Sequence, residues 1–87
     1  MNILEEANTL INGDRAKDYG DIKENFKNIA IIANILLRHK GLVLTESDCG
    51  AVLIALKIAR EGNKPKRDNR VDAAAYIEIY DTLLNHE

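Results

Sequence analysis

Residues 45–62 read TESDCGAVLIALKIAREG, and the fold turns on how their apolar positions are spaced. At about 100° per residue on a helix, Cys49, Val52, Ile54, Ala55, Leu56, Ile58 and Ala59 cover most of the circumference. Lys57, Arg60 and Glu61 share one narrow arc with Gly50. A helix this apolar must be enclosed by others, so it is expected to be the central, third helix of an all-α bundle. It opens at Thr45 and ends near Gly62. Lys64-Pro65 closes the segment, because proline disfavours helix at the residue before it.

Working outward, three more helical segments flank this one, and no strand-like alternation of useful length occurs. A short amphipathic segment covers about 2–11 and stops at the turn signal Asn12-Gly13-Asp14. A second helix covers about 21–40, with Asp21 as N-cap, Glu24 as its capping-box partner, and Arg38, His39 and Lys40 near the negative end of its dipole. It carries two apolar faces. Ile22, Phe26, Ile29, Ala33 and Leu36 form the regular core stripe; the opposite stripe begins with Asp21, Glu24 and Asn28 and continues as Ile31, Ile32 and Ile35. That second face should meet another subunit or line a pocket. The fourth helix covers about 68–84, with Asp68 as the expected cap.

The chain has 87 residues, room for one domain over 1–87 and one hydrophobic core. So small a core makes a homo-oligomer the expectation. With 14 acidic and 12 basic residues the formal charge is −2, so there is no overall pull towards DNA, RNA or an anionic membrane. Cys49 is the single cysteine and reads as a small buried hydrophobe. The N-terminus lacks the basic start and apolar stretch of a signal peptide, and no apolar run approaches the roughly 20 residues of a membrane span. A cytoplasmic location is expected. Ser47 is the only serine, and no phosphate-binding glycine loop or nucleophile motif is present.

Chemistry points elsewhere. Asp72 falls inside the apolar arc of the fourth helix, between Ile79 and Leu83, where an ionised carboxylate needs a partner. Either it pairs with Lys57 or Arg60 across the bundle, or it serves a site as metal ligand or ligand-orienting group. Lys64, Lys66, Arg67 and Arg70 crowd the link beside the start of that helix, where arginine suits bidentate phosphate contacts. Asp21 and Glu24, three residues apart, have the spacing to share a hard cation as well as to cap a helix. His39 and His86, each near a helix end without a second ligand, suit solvated roles.

The strings Arg15-Ala16-Lys17-Asp18-Tyr19-Gly20-Asp21, Glu24-Asn25-Phe26, Leu56-Lys57-Ile58-Ala59-Arg60 and Val71-Asp72-Ala73-Ala74-Ala75-Tyr76 resemble small helical domains of phages and prophages labelled nucleotide-modification-associated. More distantly, they resemble the MazG-like all-α nucleoside triphosphate pyrophosphohydrolases, which hold Mg²⁺ with paired acids on two helices. The resemblance implies a nucleotide-like ligand, Mg²⁺ as cofactor, metal ligation by Asp21, Glu24 and Asp72, and catalysis by Asp72 and Glu24. Lys57, Arg60, Arg67 and Arg70 would contact phosphate, and Tyr19 or Tyr76 would stack on a base. The chain departs from the MazG-like pattern where Asn69 stands three residues before Asp72 and where Asp21 replaces a glutamate. Losing carboxylates weakens metal-dependent hydrolysis more than binding. Three functions follow: Mg²⁺-dependent phosphate or pyrophosphate hydrolysis, sequestration of a host signalling nucleotide without turnover, or inhibition of a host protein through the Ile31, Ile32 and Ile35 face.

Overall fold

The computed structural model describes residues 1–13 and 21–87. Every regular element among them is helical: α1 (Ile3–Asn12), α2 (Ile22–Leu36), a short 3₁₀ turn (Arg38–Lys40), α3 (Glu46–Asn63) and α4 (Arg67–Leu84). Local chemistry sets most ends. Asn2 and Glu5 close a capping box on α1, and Thr45 and Asp48 close another on α3, each satisfying amides that have no intrahelical partner.

Asp21 caps α2, but differently from the expected box: its Oδ1 accepts the Lys23 N–H at 2.9 Å, and Glu24 does not reach back. α2 also ends a turn early, at Leu36. The chain tightens into the 3₁₀ turn and reverses at Gly41, whose φ of 70° favours glycine. The link that follows is held by Asn34: its amide donates to the Leu44 carbonyl at 3.0 Å, and its oxygen accepts the Leu44 N–H at 2.7 Å.

Asp68 is not the cap of α4. The helix begins one residue earlier, Lys66 is its cap position, and no side chain of its own caps it. Glu61, reaching across from α3, takes the Lys66 N–H at 2.7 Å instead.

α3 and α4 form an antiparallel hairpin, with Ser47 beside Glu87, Gly50 against Tyr80 and Leu83, Lys57 against Asp72 and Glu61 against Asn69. α1 packs on α4, and α2 packs on α3. One core gathers Phe26, Ala30, Cys49, Ile79 and Leu83; the other gathers Ala7, Val71 and Ala75. α4 serves both, so it is the enclosed helix. The expected central place of α3 is therefore corrected: its Val52, Leu56 and Ile58 are 58%, 43% and 54% exposed. Its wide apolar girth is only partly used within one chain. Cys49 is buried as expected, and burial pushes its thiol pKa up, as do Asp48 and Glu46.

Candidate functional site

The basic corner predicted at the α3–α4 link exists, and three of its cations, Lys57, Arg67 and Arg70, are engaged by carboxylates. Lys57 Nζ lies 2.9 Å from Asp72 Oδ2, with side-chain exposures of 16% and 33%. Of the two partners expected for Asp72, the structure brings Lys57 and leaves Arg60 on the surface, without an ion pair among the described residues. Arg70 donates to Glu61 Oε2 at 2.5 Å. Arg67 pairs with Glu6 and donates to the Met1 carbonyl at 2.8 Å, tying the start of α1 to the start of α4.

Glu61 is the organising residue that the sequence did not single out. Besides Lys66 and Arg70 it accepts the Asn69 amide at 3.1 Å. The Lys66 N–H, with the bonds from Arg70 and Asn69, holds the Glu61 carboxyl below the usual carboxylate range, against a smaller upward push from desolvation. This explains Asn69 physically. It is buried, and an acid there would set two carboxylates against each other where a donor is needed. The only sequence signal for Glu61 was its place in the polar arc of an apolar helix.

The acids proposed for a metal are dispersed. Among the described residues, no three His, Cys, Asp or Glu side chains come together as a metal-holding group. Asp72 faces α3, Glu24 is exposed on α2, and Asp21 sits at the α2 N-terminus. Tyr76 is half-buried against the larger core, which limits it as a stacking platform. Tyr19 lies outside the described residues, as does the string from Arg15 to Gly20.

On the other side of α4, away from Asp72, a groove of about 580 Å³ opens between α1, the start of α2 and α4. Leu4, Ala7, Ile11, Ile22, Ile77 and Ile79 give it an apolar lining. Asn8, Asn12, Asp21, Lys23, Glu78 and Thr82 supply the polar groups. Of the predicted site residues that are described, only Asp21 takes part. Sequence periodicity does not reveal the groove, because that space exists only once α1 lies across α4. Asn12 and Asp21 both line it, and the chain between them carries most of the Arg15-to-Asp21 string.

No helix among the described residues is long and apolar enough to cross a membrane. A family described as a domain of unknown function (DUF6378) matches residues 2–84. The "Gene 55 protein" of Mycobacterium phage L5 is 40% identical over 84 residues, which are 95% of this chain and 53% of that protein. The "Gene 55 protein" of Mycobacterium phage D29 is 41% identical over 75 residues, 85% of this chain and 48% of that protein. The chain thus spans about half the length of these curated relatives. No solved structure matches it. Matched over nearly its whole length and similar to two phage proteins, this chain, with four α-helices among its described residues, belongs to the family described as a domain of unknown function (DUF6378).

Proposed function

We propose that the domain binds a small nucleotide-like molecule in the groove between α1, the start of α2 and α4, and that it acts as a binder without turnover. The observation that carries this is the groove itself. Its 580 Å³ falls in the range of small-molecule sites, and its lining sets apolar and polar side chains side by side. The signature-like string that prompted the nucleotide resemblance ends on its rim at Asp21.

In this arrangement the aliphatic lining receives the flat face of a base, and Asn8, Asn12 and Thr82 offer donors and acceptors to its edge. Lys23 is the cation for a phosphate. Asp21 and Glu78 are the oxygen donors that would hold Mg²⁺ between protein and phosphate, a role suited to a hard cation that keeps several waters. The phosphate ligands first assigned to Lys57, Arg67 and Arg70 are withdrawn from this proposal, because those side chains already serve Asp72, Glu6 and Glu61. Turnover is set aside on the same ground: Asp72 is engaged by Lys57, and Asn69 by Glu61, so the paired acids of a hydrolase are not assembled on α4.

The test is thermal unfolding of the protein with a panel of nucleotides, with and without Mg²⁺. A ligand at a hundredfold excess over its dissociation constant should stabilise by about 2.7 kcal/mol, roughly 10–20 °C for a domain this size. Ala74 also lines the groove, so Ala74→Phe, which fills it, and Lys23→Glu, at an exposed position, should each abolish the shift; Asp72→Asn should retain it. A panel with no shift in the wild type rejects the proposal. Phosphate release from any nucleotide rejects its non-enzymatic half.

A further inference from the structure

The opposite side of the molecule carries a different feature. The second face of α2 is laid bare: Ile31, Ile32, Ile35 and Leu36 are 50%, 58%, 54% and 69% exposed. On the neighbouring α3, Val52 and Leu56 are exposed as well, and the link residues Leu42 and Val43 are 46% and 82% exposed. Single exposed apolar residues need no explanation, but a contiguous patch on one side of a small domain does.

Charge along the same helix identifies the occupant. The exposed stripe of α2 carries Glu24 near its start and Arg38 just past its end, with the isoleucines between. Neither Glu24 nor Arg38 has an ion-pair partner among the described residues; Arg38 only donates to the Ile35 carbonyl at 3.1 Å. A surface acidic at one end, basic at the other and apolar between is complementary to itself turned end for end. Two such stripes laid antiparallel about a two-fold axis near Ile31 set each Arg38 against the other copy's Glu24.

We infer that this face of α2, continued onto Val52 and Leu56 of α3, is a two-fold interface with a second copy of the chain. The pairing is isologous, so every favourable contact occurs twice and the assembly closes as a dimer. The isoleucines supply the desolvated centre and the ion pairs the rim, where charge sets register and partner choice more than affinity. The inference is independent of the groove, which lies between α1 and α4 and contains none of these residues.

Light scattering coupled to size exclusion, with sedimentation equilibrium, tests it. The wild type should have twice the 9.7 kDa mass of the chain. Ile35→Glu should weaken association by about a hundredfold or more, as loss of a central contact does, with the helical circular dichroism retained. Glu24→Arg and Arg38→Glu should each weaken it by roughly tenfold, through two repulsive rim contacts per dimer. The decisive arm mixes those two charge-reversed variants, which should associate with each other in preference to themselves, because both rim pairs are then restored. A monomeric wild type at high micromolar concentration overturns the inference, including the case in which a different protein covers the face. A dimer indifferent to Ile35→Glu, or charge variants that do not rescue each other, also overturns it.

Discussion

Asp72 offers a direct contest between structure and site, because its pairing with Lys57 can be measured. The ammonium nitrogen sits 2.9 Å from the carboxylate oxygen in a position neither dry nor fully wet. At that separation the Coulomb attraction lies between about 1.4 kcal/mol in bulk water and about 6 kcal/mol at the effective dielectric of a protein surface. Desolvation and side-chain ordering offset most of it, leaving a net coupling of about 1–2 kcal/mol. A double-mutant cycle of Lys57→Met and Asp72→Asn should return that coupling. Each single variant should melt roughly 5–10 °C below the wild type. Urea unfolding of the four proteins at neutral pH, with unchanged m-values, gives the free energies. A coupling below about 0.3 kcal/mol, the scatter of independent sites, would show that the pair is not a structural joint. So would an Asp72→Asn protein that keeps its stability and loses ligand binding, which would return Asp72 to a functional site.

Asn69→Asp should lower the melting temperature by about 5 °C or more, since it removes a donor and adds a carboxylate beside Glu61; calorimetry should find the defect shrinking below about pH 5, where a shared proton relieves the repulsion. The Glu61 pKa is depressed in the folded state, so its stabilising contribution is present above the unfolded value near 4.5 and is lost as pH falls through the lower folded value. Acid titration of Glu61→Gln should accordingly give a less stable protein at neutral pH with a shallower decline below about pH 4.5 than the wild type. Gly50→Ala should stabilise by about 0.5–1 kcal/mol in urea unfolding, because the new methyl meets Tyr80 and Leu83 at ordinary contact distances of 3.6–3.7 Å in mid-helix, whereas Gly50→Leu should destabilise.

The helices were legible because their signals are local. Thr45, Pro65 and the apolar periods each act within a turn or two of chain, and the observed ends of α1, α3 and α4 lie close to the expected ones, while α2 stops a turn early. The error at Asp68 has the opposite character: α4 takes its cap from Glu61 on another helix, and no local pattern reports a donor satisfied across a hairpin. The central place given to α3 failed for a related reason. Periodicity measures how much of a helix is apolar and not which neighbour covers it, so a face left open by one chain looks the same as a core face. The pairing of Asp72 was legible, because a carboxylate in an apolar arc demands a partner and Lys57 lay on the only polar strip opposite. The groove was illegible, since it is the space left between α1 and α4 when Ala7 meets Val71 and Ala75, and it belongs to no segment alone.

The α3–α4 hairpin is fastened at both ends by carboxylates that bind backbone amides. Glu61 takes the Lys66 N–H at the closed end. Glu87 takes the Ser47 N–H at 2.9 Å and its hydroxyl at 2.8 Å at the open end, and those two bonds hold the Glu87 carboxyl below its usual pKa. A helical pair clamped in this way has little freedom to fray from either side, whereas α1 is attached through one helix face and the Arg67 contacts. Amide exchange should therefore be uneven, slowest within α3 and α4 and faster in α1. Local opening would then begin by lifting α1 from α4, which dismantles the groove before the rest of the bundle yields. Occupancy of the groove and protection of α1 amides should rise and fall together; equal protection along α1, α2, α3 and α4 would show that the clamps confer no such hierarchy.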